Sequence, residues 1–231
     1  SDPSTAEHFK PWYRQFCKRP CFHDDYLATF NRPTVELIDT DGLGVDCVTE
    51  KGVVVKGVEY EVDCLIYATG FEVGTNFSRR AGYEIYGIGG KSLTEHWQDG
   101  ARTFHGFHSH GFPNCFIVSG VQSGFTVNFP HMLEEQARHI AHILEHAQTN
   151  DIKRIEVTEE SEEWWVERII SLSQNNIQFL ESCTPGYYNN EGKPAARGVQ
   201  SGSYGGGPVA FVQVLEQWRA EGDMRGLTLI S

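Results

Sequence analysis

Asp63-Cys64-Leu65-Ile66-Tyr67-Ala68-Thr69-Gly70-Phe71 contains an apolar run halted at Thr69-Gly70. Apolar residues at every position, instead of at alternate ones, predict a strand buried on both faces, as in a parallel sheet. Open parallel sheets bind ligands beyond the carboxyl ends of their strands, so Thr69 and Gly70 are candidate binding residues. A second such run, Cys115-Phe116-Ile117-Val118, leads into Ser119-Gly120-Val121-Gln122-Ser123-Gly124 and then into a helix predicted to start near Pro130. Proline suits a first helical turn, and Leu133, Ala137, Ile140, Ala141 and Leu144 form one apolar stripe. Strand, glycine loop and helix make an α/β unit.

Outward from these two runs, Val35-Glu36-Leu37-Ile38 is predicted as a strand, and residues 52–56 and 58–62 flank Gly57 like a hairpin. Ile155-Glu156-Val157 is another short strand. Thr158 is placed to cap a helix over 159–175 that carries Trp165, Ile169 and Leu172 on one face. Residues 4–15 hold a short helix or extended lead-in, 71–113 are loops with short elements, 184–208 form a long loop, and 209–221 form a closing helix. No internal repeat is present.

Of the 231 residues, 39% are hydrophobic and 22% charged, which excludes wholesale disorder. The net charge of −12 offers no broad basic surface for a nucleic-acid backbone. No apolar run approaches the roughly 20 residues of a membrane span, and Ser1-Asp2-Pro3-Ser4-Thr5 does not resemble a signal peptide. The six cysteines form no C-x-x-C pair, and a reduced, cytoplasmic protein is expected. A dinucleotide-binding sheet usually carries G-x-G-x-x-G after its first strand; Gly42-Leu43-Gly44 lacks the third glycine and the following helix.

Three blocks, in order, resemble one family: Cys17-Lys18-Arg19-Pro20 with Asn31-Arg32-Pro33; the run from Asp63 to Phe71; and Gly111-Phe112-Pro113-Asn114-Cys115-Phe116 with Phe125-Thr126-Val127-Asn128-Phe129-Pro130. Together they are similar to the carboxy-terminal part of class I flavin-dependent Baeyer–Villiger monooxygenases. Members are much longer and carry two glycine fingerprints and an F-x-G-x-x-x-H-x-x-x-W signature that this sequence lacks. The chain is therefore expected to be the later portion of such an enzyme, completed by an amino-terminal half. The implied fold is α/β, an incomplete FAD/NAD(P)-binding Rossmann-like flavoprotein. Residues 1–70 would close an NADPH-binding domain and 71–231 an FAD-binding domain.

The resemblance implies FAD and NADPH as cofactors, with a ketone and O2 as substrates and an ester or lactone as product. That chemistry develops negative charge on oxygen, and the family's catalytic arginine falls on Arg19. A guanidinium stays protonated and offers a rigid fork of donors. Lys18 would reach the 2′-phosphate of NADPH. Thr69 and Gly70 would belong to the linker between the domains. Gly120, Asn128 and Pro130 would lie by the flavin, where a helix N-terminus presents unpaired N–H groups. Phe125, Thr126 and Phe129 would line the ketone pocket. The loop is one residue longer than in some relatives, and Thr184 stands near where the family tail carries a tryptophan, with Tyr187 or Tyr188 as substitutes. No metal is expected: His105, His108 and His110, like His139, His142 and His146, read as ordinary histidines. The alternatives are a monooxygenase acting on nitrogen or sulfur, and a non-enzymatic fragment or interaction module.

Overall fold

A computed structural model describes residues 3–69, 77–126, 128–186, 189, 192 and 196–231. The chain divides into two units, Ser1–Glu72 and Val73–Ser231.

In the first unit, α1 (Pro3–His8) begins at a proline, and α2 (Tyr26–Thr29) brings Tyr26 and Phe30 against Phe9 at ring separations of 6.1 and 4.6 Å. Strands β1 (Cys47–Val48), β2 (Gly52–Val55) and β3 (Val58–Glu61) form an antiparallel sheet in that order. The β2–β3 hairpin is the one expected. Lys56 (φ 51°) and Gly57 (φ 74°) both take the positive φ that a two-residue type I′ turn requires, which sets Val55 opposite Val58. A Cβ on Gly52 would sit 1.9 Å from the Tyr60 carbonyl oxygen, so only glycine lets the two strands approach. Among the described apolar residues of this unit, only Cys17 and Val55 are buried.

The buried strand expected over Cys64–Ala68 is not present: these residues take no regular element, and Ile66 and Tyr67 are 81% and 72% exposed. A strand apolar on both faces needs a neighbour on each side, and none of the described residues pairs with it. Val35–Ile38 is likewise irregular.

The second unit opens with α3 (Phe77–Ala81), a 3₁₀ turn (Ile88–Gly90) and α4 (Leu93–His96), the last closed by a reciprocal Ser92–Glu95 capping box. An irregular stretch, 101–109, then runs through the interior, with Phe107 and Thr103 wholly buried. Cys115–Val118, expected as a buried strand, is irregular and half-buried, joined to the interior stretch by Ile117 N–H to Phe107 O at 2.8 Å. The long helix α5 (Phe129–Thr149) is where it was expected, but its buried face carries Met132, Gln136, His139 and Ile143. Of the apolar stripe assigned to the core, Ile140 packs against it and Leu133 is half-buried, while Leu144 is 47% exposed and Ala137 and Ala141 are exposed.

Strand β4 (Arg154–Val157) and the Thr158 cap are as expected, with Ser161 N–H donating to Thr158 Oγ1 at 3.2 Å. Helix α6 continues past 175, spanning Glu159–Glu181, with Trp165 and Ile169 fully buried. After α7 (Ala196–Gln200), α8 (Pro208–Glu221) buries Phe211, Leu215 and Trp218 and stops at Gly222 in the left-handed conformation. It does not close the chain. An unforeseen strand, β5 (Leu227–Ile230), pairs antiparallel with β4, Arg154 opposite Ile230.

Helices and strands are mixed, as an α/β chain requires, yet both sheets among the described residues are antiparallel, against the parallel sheet expected. Cys21, Cys47, Cys64 and Cys115 are free thiols. No described helix is long and apolar enough to cross a membrane.

Candidate functional site

In the second unit, the segment from Ser119 to Pro130 is the candidate site. It turns out of the Cys115–Val118 run and delivers the chain to the start of a helix of 21 residues. Asn128 is the N-cap of α5, its Oδ1 accepting from His131 N–H at 3.4 Å, and Pro130 occupies the first turn. Thr126 Oγ1 accepts from Asn128 N–H at 3.4 Å. Gly120 lies under Phe125: a Cβ there would meet the ring at 3.7 Å. Phe125 and Phe129 are 44% and 41% exposed. The structure thus gathers Gly120, Phe125, Thr126, Asn128, Phe129 and Pro130 on one turn of chain. Two half-exposed aromatic rings stand within a few residues of a helix N-cap, a sequence of groups suited to a planar, electron-rich or apolar ligand.

The same segment is fastened from behind. Ser123 Oγ–H donates to Ser119 O at 2.6 Å, and Gln136 Nε2 on α5 donates to Ser119 O at 2.8 Å and to Ser123 Oγ at 3.0 Å. Gly124 presses against the core, where a Cβ would lie 2.6 Å from Met132 Cε and 2.7 Å from Phe211. Gln122 is wholly buried. Sequence reasoning singled out neither Gln122 nor Gln136. The available signal was a large amide in a loop otherwise built from small residues and valine.

In the first unit, Lys18 is half-buried and Arg19 exposed, neighbours on an irregular turn beside the buried Cys17. Cys21 Sγ lies 3.8 Å from the Arg19 carbonyl oxygen. Thr69 is exposed at the end of the irregular apolar run, and Gly70 lies outside the described residues, as do Tyr187 and Tyr188.

Two further charged or titratable groupings lie in the second unit. Glu162, on the first turns of α6, is fully buried and accepts from His96 Nε2 at 3.0 Å, from Arg102 Nε at 3.1 Å and from the His110 N–H at 2.8 Å. Burial pushes its carboxyl up, but His96, the His110 N–H and Arg102 together outweigh burial and hold it below the usual carboxylate range. His105, His108 and His139 are buried among aromatic rings: His105 stacks on Phe104 at 3.8 Å, His139 on Phe107 at 5.1 Å, and His108 meets Phe116 at 4.8 Å. Burial keeps all three neutral, lowering His108 to about 4 and, with help from Arg219, His108 and His142, His139 to about 3; His105 falls well below its ordinary value. No group of three or more ligating side chains among the described residues is arranged to hold a metal ion.

No protein-family model matches the chain. Pentalenolactone D synthase of Streptomyces exfoliatus is 53% identical over 231 residues, which is 99% of this chain and 40% of that protein. Baeyer-Villiger monooxygenase peniC of Penicillium patulum is 43% identical over 98% of this chain and 38% of its own length. Among solved structures, polycyclic ketone monooxygenase from Thermothelomyces thermophila matches with a TM-score of 0.93 and 38% identity, covering 100% of this chain and 38% of that one. Cyclohexanone monooxygenase from Rhodococcus sp. Phi1, solved with NADP+, gives a TM-score of 0.81 and 32% identity, covering 100% and 42%. The resemblance read from the sequence is borne out: along nearly its whole length the chain matches part of Baeyer–Villiger monooxygenases. It spans about two-fifths of the length of the relatives it matches.

Proposed function

We propose that this chain, homologous along its length to part of the Baeyer–Villiger monooxygenases, is the carboxy-terminal portion of a cytoplasmic, FAD- and NADPH-dependent enzyme that converts a ketone and O2 to an ester or lactone. The observation that carries the reading is a match of 53% identity over 99% of the chain, accompanied by a structural match at a TM-score of 0.93. In the completed enzyme the Rossmann-like nucleotide-binding sheets would be finished by an amino-terminal half.

The residues present fit a flavin. The start of α5 offers N–H groups on a helix terminus, Gly120 leaves the backbone open, and Phe125 and Phe129 present exposed ring faces in place of solvated side chains. When bound and reduced by NADPH, FAD supplies the activation of O2. This chain's part is electrostatic and steric. Asn128 fixes the first turn of α5, Pro130 sets its direction, and Gly120 lets the chain approach the ring edge. Phe125, Thr126 and Phe129 bound the ketone and exclude water from it. The Arg19 guanidinium stabilises the negative charge that develops on oxygen as the carbonyl carbon becomes tetrahedral, and Lys18 pairs with the 2′-phosphate of NADPH. Thr69 and Gly70 join the two nucleotide domains. Overall, one oxygen atom enters the ketone, the other leaves as water, and NADPH supplies the two electrons.

The test uses the complete enzyme with FAD, NADPH and a panel of cyclic ketones, amines and sulfides. Ester or lactone formation is expected, and Arg19→Ala is expected to lower kcat by about a hundred- to a thousandfold, the size of losing one donor to a developing oxyanion. N-oxide or sulfoxide formation without any ester would overturn the ketone assignment. The 231-residue chain by itself is expected to be colourless and not to oxidise NADPH; a yellow chain that turns over a ketone would overturn its assignment as a portion.

A further inference from the structure

The loop that carries Phe125 and Thr126 does not hold itself. Gln122, with φ 53° in the left-handed region that favours glycine, directs its side chain inward. All of its amide's hydrogen-bonding capacity is used there. Oε1 accepts from Thr103 N–H at 3.0 Å and from Thr103 Oγ1–H at 2.6 Å, while Nε2 donates to Ala101 O at 2.6 Å and to Gln200 O at 2.7 Å. Its backbone is equally committed: the N–H donates to Gly202 O at 2.8 Å, and the carbonyl accepts from Trp165 Nε1 at 3.0 Å. One residue on, Tyr204 N–H donates to Ser123 O at 2.9 Å. The side chain therefore joins the 119–124 loop to the irregular stretch 101–103 and to the end of α7 at Gln200, and the backbone bonds continue the join to Gly202 and Tyr204. Two supporting bonds link the 101–103 and 200–204 segments directly, Ala101 N–H to Ser201 Oγ at 3.0 Å and Gln200 Nε2 to Ala101 O at 2.9 Å.

An apolar residue of similar size would fill the same space, so packing alone does not account for a saturated amide on a backbone in a costly conformation. We infer that Gln122 is a positioning residue: it locks the Ser119–Thr126 loop to the Gln200–Tyr204 segment and so fixes the aromatic wall at the start of α5. The inference rests on the reading of that wall as a ketone pocket. Gln122 itself stays behind the wall and touches no substrate. Its effect passes through Ser123 and Gly124 to Phe125, and the segment after α7 becomes part of what sets the pocket's shape.

The experiment compares wild type, Gln122→Met and Thr103→Val in the complete enzyme by hydrogen exchange and by steady-state kinetics on a bulky cyclic ketone. Gln122→Met removes four bonds at nearly constant volume, and is expected to raise exchange in 119–126 and in 200–204 together. It should raise KM for the ketone about tenfold while kcat stays within about twofold. Thr103→Val removes one bond to the amide and is expected to move both readouts in the same direction by a smaller factor, which keeps the test open should Gln122→Met not fold. Unchanged protection in either segment overturns the lock. Lost protection with an unchanged KM overturns the link to the wall, because a merely structural residue lowers stability without moving KM against kcat. A wild-type enzyme that forms no ester refutes the reading of function instead, and the exchange data then decide the lock by themselves.

Discussion

Lowering the pH from 8 to 5 is expected to destabilise the second unit by several kcal/mol, through histidines that the fold holds neutral. His108 and His139 have folded values of about 4 and about 3 against an ordinary 6.5, both lowered first by burial, and His105 is lowered well below 6.5 for the same reason. His105 Nδ1, His108 Nε2 and His139 Nδ1 have no hydrogen-bond partner among the described residues, so no acceptor is in place to stabilise a protonated ring. The sign follows from linkage. The unfolded chain binds protons on these rings below about pH 6.5 and the folded chain does not, so stability is complete above that value and falls as pH drops, until each ring's folded value is reached. At pH 5 the gap is about 1.5 pH units per ring, or about 2 kcal/mol each at 1.36 kcal/mol per unit. His108 and His139 together therefore remove about 4 kcal/mol, and His105 adds a loss of the same sign. Against a total stability of about 5–15 kcal/mol for a domain, the loss from these two rings alone is between about a quarter and four-fifths of the whole.

Urea unfolding followed by the fluorescence of Trp165 and Trp218, repeated between pH 8 and pH 4.5, measures the loss. Both indoles are buried in the affected core, each within 5.9 Å of the His105 ring centroid. Glu162 does not confound the window. Its folded value lies below an ordinary 4.5, so the stability it contributes is present above that pH and is lost only further into acid. His108→Phe, which keeps a ring against Phe116, is expected to abolish about 2 kcal/mol of the acid loss and to reduce the proton uptake on unfolding by one. Equal stability at pH 8 and pH 5, or an unaltered slope in His108→Phe, would show that the rings are solvated and that burial does not govern them.

Two further predictions concern the second unit, one at its buried carboxylate and one behind the candidate site. Glu162→Gln removes the buried one of the two carboxylates that pair with Arg102 and turns the oxygen facing Arg102 Nε into a donor, while leaving a carbonyl oxygen for His96 and the His110 N–H; a loss of about 3 kcal/mol in urea unfolding at pH 7 is expected. Gly124→Ala places a methyl group against Met132 and Phe211, and a loss of about 1–3 kcal/mol is expected from overpacking, with the visible consequence of a lowered melting temperature.

The parts of the fold legible in the sequence were those fixed by neighbours close along the chain. The β2–β3 hairpin follows from Gly57 between two valine-rich segments, the start of α6 from Thr158, and the start of α5 from the proline in its first turn. Strand β5 was missed because it is only four residues long and its partner lies some seventy positions away in β4. The interior stretch 101–109 was missed because glycine, histidine and threonine mark loops, and loops ordinarily lie outside. Here Gln122 and Thr103 satisfy the backbone that burial would otherwise leave unpaired, Oε1 taking the Thr103 N–H and Thr103 Oγ1 the Gly106 N–H at 3.1 Å. In the site, sequence reasoning found the residues that form the turn at the head of α5 but not the amides behind it. A glutamine is usually a surface residue, and only contacts remote in sequence reveal that Gln122 and Gln136 are interior.

The remaining disagreements share one physical origin. Leu65, Ile66 and Tyr67 in the first unit and Ala137, Ala141 and Leu144 on α5 read as core and are exposed, whereas Leu133 is half-buried and Ile140 packs against the core as expected. Helix α5 buries Met132, Gln136, His139 and Ile143 on one face, the apolar stripe runs beside that face, and Glu134, Arg138 and Glu145 occupy the exposed remainder, the pattern of an amphipathic helix with an apolar margin. Covering Ile66, 81% exposed, would contribute about 1.5–3 kcal/mol, and covering Leu144, 47% exposed, about half as much. The sequence pattern reports the burial for which the residues are suited, whereas the coordinates report the burial that 231 residues supply. A chain spanning about two-fifths of the length of its relatives, read as part of a larger flavoenzyme, is expected to leave that difference on its surface, at the strand run and the helix face that the remainder would cover.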